Sequence, residues 1–258
     1  MPKIFDQETK WNVYHYTDTN ALISILAKEK IILRATNIMY LNDPHELIEG
    51  ITTIQDIQKT SLNPGAFRSY YITSFSSCND NLSMWGMYAA NGNGYALAFD
   101  FDELSKGYEI MIKCVYGKNE IEQQFKNFHN LTQTGVFTSL MGATKLSKED
   151  EEKNRKALEL NNIITTCLGA KNEAYSYESE MRGVIYCNDS QRTHFRTRNG
   201  YIIPYIEVSL PKFALKEIVI GPTNNTLLKE QSLYHFLQIN GYNLDDIHIV
   251  RSKIPYRG

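Results

Sequence analysis

Apolar and polar residues repeat along this chain with two periods, one of strands and one of helices. WNVYHYT at 11–17 reads as a short strand. DTNALISILAKEK follows with Ala21, Leu22, Ile25 and Leu26 on one helical face, closed by Lys28 and Lys30. IILRA returns to strand. In NDPHELIEGITTIQDIQ, Asp43 is placed to cap a helix, Pro44 suits its first position, and Glu46 completes a capping box. Leu47, Ile48, Ile51, Ile54 and Ile57 form the apolar stripe of that helix.

SYYITSFSS predicts a strand, LSMWGMYAA a short helix, and GYALAFDF another strand after the NGNG turn. Residues 119–168 are charged and helix-favouring, and the run KLSKEDEEKNRKALEL reads as a solvated helix face. They are expected to form a peripheral helical insertion within a single domain spanning 1–258. Strands are expected at MRGVIYC, GYIIPYIEV, KEIVIG and DIHIVRS, with TLLKEQSLYHFLQING as a helix ending at Gly241. Strands outnumber βαβ units, so the fold class is α+β.

Composition narrows the function classes. With 42% hydrophobic, 22% charged and 12% aromatic residues the chain has the make-up of an ordinary globular protein. A net charge of −2 gives no overall attraction to phosphate backbones or anionic membranes, so nucleic-acid binding would need a local patch. Cys78, Cys114, Cys167 and Cys187 are scattered and read as buried thiols, and no histidine sits at ligand spacing from a cysteine pair, so no metal is expected. The opening MPKIFDQETKW has no apolar run, and no stretch approaches the roughly 18 apolar residues of a bilayer span. A cytoplasmic protein with no membrane partner is expected.

Three short pieces carry polar groups where a strand should present an edge or an inner face: YHYT at 14–17, ITSFSS at 72–77 and YESEMR at 177–182. Each has an ordinary structural account. A lone strand histidine is usually a satisfied one, and strand-end hydroxyls commonly bond nearby backbone. Glu178 and Glu180 point to one face if their stretch is extended, and Arg182 or Lys171 would then balance them. RTHFRTR gathers Arg192, His194, Arg196 and Arg198 around Phe195, a mixture that grips phosphates and stacks a base, or that simply decorates a solvated hairpin loop. Asn42, Asp43 and Glu46 are already explained by helix capping.

In this order the three pieces resemble the site layout of the ADP-ribosyltransferase superfamily, with His15, Ser74 and Glu180 at the matching positions. More broadly, YHYT, LNDPHE, SFSSCNDNLSMWGMYA, GYALAFD, KNEAYSYESEMR and IPYR resemble the bacterial family catalogued as domain of unknown function 2971, with Tyr175 where a Trp is usual. The superfamily resemblance implies a split β-sheet core of two packed β-layers with surrounding helices, and NAD as substrate. It implies that Glu180, Glu178 and His15 are catalytic, and that His15, Tyr16, Thr17, Ser74, Ser76, Trp85, Tyr88 and Arg182 line the NAD site. It also implies a protein or nucleic-acid acceptor, RNA included, and a role as a toxin with an antitoxin partner or as a phage-defence effector.

The chemistry suits these residue types. Breaking the nicotinamide–ribose bond builds oxocarbenium character that a nearby carboxylate stabilises, and Glu178 is suited to deprotonating the acceptor. His15 would orient NAD, and Tyr16, Trp85 and Tyr88 would offer stacking surfaces. The three marker side chains are expected to converge on one cleft, and amide variants of either glutamate are expected to fold normally. Other readings are an NAD glycohydrolase, a non-catalytic nucleotide-binding or sensory module, and a metal-dependent hydrolase using His15, Asp43 and Glu46. The last lacks an ordered ligand set.

Overall fold

The computed structural model describes residues 11–41, 45–59, 61–133, 148–223 and 226–255. Asn42, Asp43 and Pro44, with the helix cap expected there, lie outside them, as do Tyr256 and Arg257 of the IPYR motif. The chain divides into two compact units, one of Met1–Asn37, Tyr70–Met111 and Tyr177–Gly258 and one of Ile38–Ser69 and Ile112–Ser176.

In chain order the elements begin with β1 (Asn12–Thr17), α1 (Thr19–Leu26), β2 (Ile31–Asn37), α2 (Glu46–Gln58), β3 (Tyr70–Ser76), α3 (Leu82–Tyr88), β4 (Tyr95–Asp100) and α4 (Phe101–Ser105). They continue with β5 (Ile110–Lys113), β6 (Val115–Tyr116), α5 (Lys118–Gln133), α6 (Lys148–Gly169), β7 (Ala170–Lys171) and β8 (Glu180–Tyr186). Last come β9 (His194–Arg198), β10 (Tyr201–Leu210), β11 (Leu215–Ile220), α7 (Thr226–Ile239) and β12 (His248–Arg251).

Local chemistry sets several of these boundaries. The Asp18 carboxylate accepts the Ala21 N–H at 2.8 Å and starts α1, whose Leu22, Ile25 and Leu26 are buried. Asn81 does the same for α3, accepting from Ser83 and Met84 N–H. Asn199 and Gly200 both have positive φ (50° and 82°) and join β9 to β10 in two residues, as a type I′ turn does. The HFRTR part of RTHFRTR is therefore strand β9 entering that turn, and Arg192 ends the 3-10 turn before it.

Ten strands form one mixed sheet in the order β12-β11-β4-β1-β3-β2-β10-β9, with β8 against β3 and β5 beside β8. β8 pairs along the whole of β3, from Tyr70↔Tyr186 to Ser76↔Glu180. On the other edge of β3, β2 holds Tyr71 and Ile72 while β1 meets it at Ser76. Between them Thr73, Ser74 and Phe75 have no strand partner on that edge among the described residues, and the sheet splits. Val13, Leu97, Phe99 and Ile218 from the β1 arm and Leu33, Ala35, Ile206 and Val208 from the β2 arm nevertheless bury into one core. Leu22, Ile25 and Leu26 of α1 and Leu233 and Leu237 of α7 belong to the same core. The expected two β-layers are thus arms of one continuous sheet, because β3 belongs to both.

The second unit is built on α2, α5 and α6, with β6 and β7 as a short parallel pair. α5 and α6 account for the described part of the charged 119–168 segment; 134–147 lie outside the described residues. A Cβ on Gly50 of α2 would stand 2.8 Å from the Cys167 Cα, so the two helices meet backbone to backbone. Glu46 and Lys171 form a buried ion pair at 3.1 Å, and the Lys171 ammonium lies 5.2 Å from the Tyr175 ring centre. The four cysteines form no disulfide; Cys114, Cys167 and Cys187 are buried, Cys78 partly so. Burial pushes the Cys167 thiol up to about 12. Among the described residues no helix is long and apolar enough to cross a membrane.

Gly183 of β8 lies opposite Thr73, and a Cβ there would come within 2.6 Å of the buried Tyr108 ring. Gly183→Ala is expected to cost about 1–3 kcal/mol through overpacking. A urea midpoint equal to that of the wild type would contradict this packing.

Candidate functional site

The site grows from the split edge of β3. A strand shows successive side chains to opposite faces, so Ser74 and Ser76 share a face, and their partners Arg182 and Glu180 share it with them. Tyr14 pairs with Ser76 and belongs to that face, as does Tyr16 two residues on. His15 follows the other alternation, with Val13, and its ring centre is 5.8 Å from that of Phe75. Ser74 and Glu180 therefore lie on one face, whereas His15 starts from the opposite one. It reaches the site through the split, where its Nδ1 bonds the Ser74 carbonyl oxygen at 3.0 Å.

That bond fixes the histidine's chemistry. A carbonyl can only accept, so Nδ1 carries the proton and Nε2 of the neutral ring is an acceptor. Burial, and secondarily the Arg196 charge, hold the His15 pKa below its ordinary value against the opposing effect of the Ser74 bond. Neutral imidazole is thus the favoured form near pH 7.

The two serines differ. The Ser74 side chain is exposed, while Ser76 is buried and ties two loops together. Its hydroxyl donates to the Glu178 carbonyl at 2.7 Å and accepts the Cys78 N–H at 3.0 Å. Ser77 N–H donates to the Ser179 carbonyl at 3.0 Å, and the Asn81 amide donates to the Tyr177 carbonyl at 3.1 Å. The 76–81 and 177–180 segments are thereby stitched side by side.

Between the two glutamates the chain is not extended. Glu178 ends a 3-10 turn, Ser179 has φ of +45°, and β8 begins at Glu180. Glu178 accepts the Tyr88 hydroxyl at 2.7 Å on Oε1. Glu180 is gripped in a two-point ion pair by Arg182, Nε to Oε1 and Nη2 to Oε2, each at 3.0 Å. Both are buried, at 3% and 1% exposure. Arg182 is thus the cation that balances Glu180, while Lys171 pairs with Glu46 in the second unit. An amide at Glu180 would leave a buried guanidinium short of its counter-charge, a loss on the order of 3–5 kcal/mol. This corrects the expectation that Glu180→Gln would be neutral for folding.

The aromatics divide as well. Trp85 is fully buried, donates Nε1–H to Asp80 at 2.7 Å and meets Tyr16 edge-on at 4.9 Å, so it presents no stacking face. Tyr16 is buried too, its hydroxyl donating to the Cys78 carbonyl at 3.0 Å and accepting from Asn81 N–H at 3.2 Å. Tyr88 stays partly exposed. Thr17 closes β1 opposite Tyr95 and is buried.

Arg196 is the residue that sequence reasoning undervalued: its Nη2 donates at 2.9 Å to the hydroxyl of Thr36, which pairs with Ile72 beside the split. The Asn199-Gly200 pair signals a tight hairpin. It would have shown HFRTR to be a strand, with every second residue on one face. Among the described residues no group of His, Cys, Asp or Glu side chains is arranged to hold a metal ion.

The family described as "Protein of unknown function (DUF2971)" matches residues 84–183, a span from α3 to the middle of β8 that contains both glutamates. YHYT and LNDPHE lie before it. Neither a curated protein nor a solved structure matches the chain.

With its folded pKa below the unfolded value of about 6.5, His15 lets the folded state bind fewer protons than the unfolded one. Stability should fall as pH drops below that value, by up to about 1.4 kcal/mol per pH unit, until the folded pKa is reached. Urea unfolding at several pH values should show this slope in the wild type and a shallower one in His15→Gln. Equal slopes would mean that His15 is not held neutral.

Proposed function

We propose that the protein is an NAD-dependent ADP-ribosyltransferase, which cleaves the nicotinamide–ribose bond and passes ADP-ribose to a protein or nucleic-acid acceptor. The observation that carries this reading is the split on the β3 edge. On that edge Thr73–Phe75 have no strand partner among the described residues, a neutral histidine is anchored on the Ser74 carbonyl, and a buried carboxylate stands on β8, which covers the opposite edge.

In this reading Nε2 of His15 accepts a ribose hydroxyl and orients the bound NAD. The C–N bond breaks with its electron pair leaving on nicotinamide, and Glu180 opposes the positive charge that builds on the ribose. Arg182 fixes the carboxylate and offsets part of its charge. Glu178, turned by Tyr88, takes the proton of the attacking acceptor. A second reading, a nucleotide-binding module without turnover, is favoured by the same two-point hold of Arg182 on Glu180, since a neutralised carboxylate stabilises a cation less.

Nicotinamide release from NAD by the purified protein separates the two. Glu180→Gln, assayed at a temperature where circular dichroism shows it folded, should lose about 10²–10³-fold in cleavage. Glu178→Gln should keep slow NAD hydrolysis and lose labelled ADP-ribose transfer. NAD recovered intact from the wild type would decide for the binding module.

A further inference from the structure

The β9–β10 hairpin sorts its charges by face. His194, Arg196 and Arg198 lie opposite Tyr205, Ile203 and Tyr201, and so share a face with them. Tyr205 and Glu207 in turn lie opposite Thr36 and Arg34 of β2, which brings Arg34 to the same face. Phe195, 65% exposed, falls on the other side.

Arg34 and Arg196 are held by neutral partners. Arg34 donates to the Ser24 hydroxyl at 2.8 Å and lies 5.1 Å from the Tyr205 ring centre. Arg196 donates Nη2–H to the Thr36 hydroxyl, while its Nε is buried without a hydrogen-bond partner among the described residues. No carboxylate pairs with Arg34 or Arg196 among the described residues; Glu207, opposite Arg34, lies 3.5 Å from Lys28 instead. Burial and the nearby charges of Arg198 and Arg34 lower the Arg196 pKa. Like charges gathered this way are unfavourable unless an anion joins them, and the planar guanidinium of Arg196, half-buried against a neutral partner, suits phosphate oxygens.

We infer that Arg34, Arg196 and Arg198 form a phosphate-binding subsite beside the split, and that it takes the diphosphate of a nucleotide. For the identity of that nucleotide as NAD the inference rests on the function proposed above; for the anion site itself it rests on the hairpin geometry. Arg196 forms the link to the split: it donates to the hydroxyl of Thr36, which pairs with Ile72 of β3 directly before the opening.

Calorimetric titration of the whole chain with inorganic pyrophosphate tests the subsite without requiring turnover. The wild type should bind, more weakly as salt rises, and Arg196→Gln should bind at least tenfold more weakly. Arg196→Lys, which keeps the charge but loses the planar guanidinium, should fall between them, and Phe195→Ser on the opposite face should match the wild type. Absence of pyrophosphate binding by the wild type, or equal binding by folded Arg196→Gln, would overturn the subsite. Arg196-dependent binding by a protein that leaves NAD intact would uphold the subsite and refute the transferase reading. Nicotinamide release with an unchanged KM in Arg196→Gln would do the reverse.

Discussion

Because β8 takes the whole of one edge of β3, β1 and β2 must share the other, and among the described residues three are left between them with no strand on that edge. Backbone polar groups inside a protein have to be satisfied somewhere. At Ser74 the partner of the carbonyl is the His15 imidazole, not another strand. That substitution sets the tautomer of the ring, turns it from the opposite alternation toward the edge, and leaves Nε2 as an acceptor. The arms that diverge from β3 still bury into one core, so the opening is held from behind by packing.

The second constraint is the seam between the 76–81 and 177–180 segments. Ser76, Ser77 and Asn81 spend their side chains or backbone N–H groups on carbonyls of Tyr177, Glu178 and Ser179. The seam decides where both glutamates stand: Glu178 against Tyr88 at the end of a turn, Glu180 against Arg182 at the start of a strand. Two carboxylates close in sequence thus acquire different partners, which is what a division of labour between them requires.

Legibility in the sequence followed the range of the interaction. The cap of α1 at Asp18 and the burial of Leu22, Ile25 and Leu26 are written within a few residues and were readable as a helical face. So were most strands, whose alternation is local. The difference between exposed Ser74 and buried Ser76 was not readable, because it depends on a loop about a hundred positions away. Nor was the turn at Ser179, since positive φ is uncommon for serine. The sharing of β3 between two arms is set by pairing between distant segments, and strand order leaves no local trace. Arg196 was legible in principle, through the Asn199-Gly200 turn that converts the run of alternating cations into one charged face.

The account's central claim is that the split is a binding site with His15 as its acceptor. Nitrogen-15 resonances of the His15 ring, followed while NAD is added, address it directly. The account predicts a neutral ring with the proton on Nδ1, and an Nε2 resonance that shifts with NAD while the Nδ1 resonance stays near its starting value. An Nε2 resonance unmoved by saturating NAD, or a ring protonated on Nε2 instead, would contradict it.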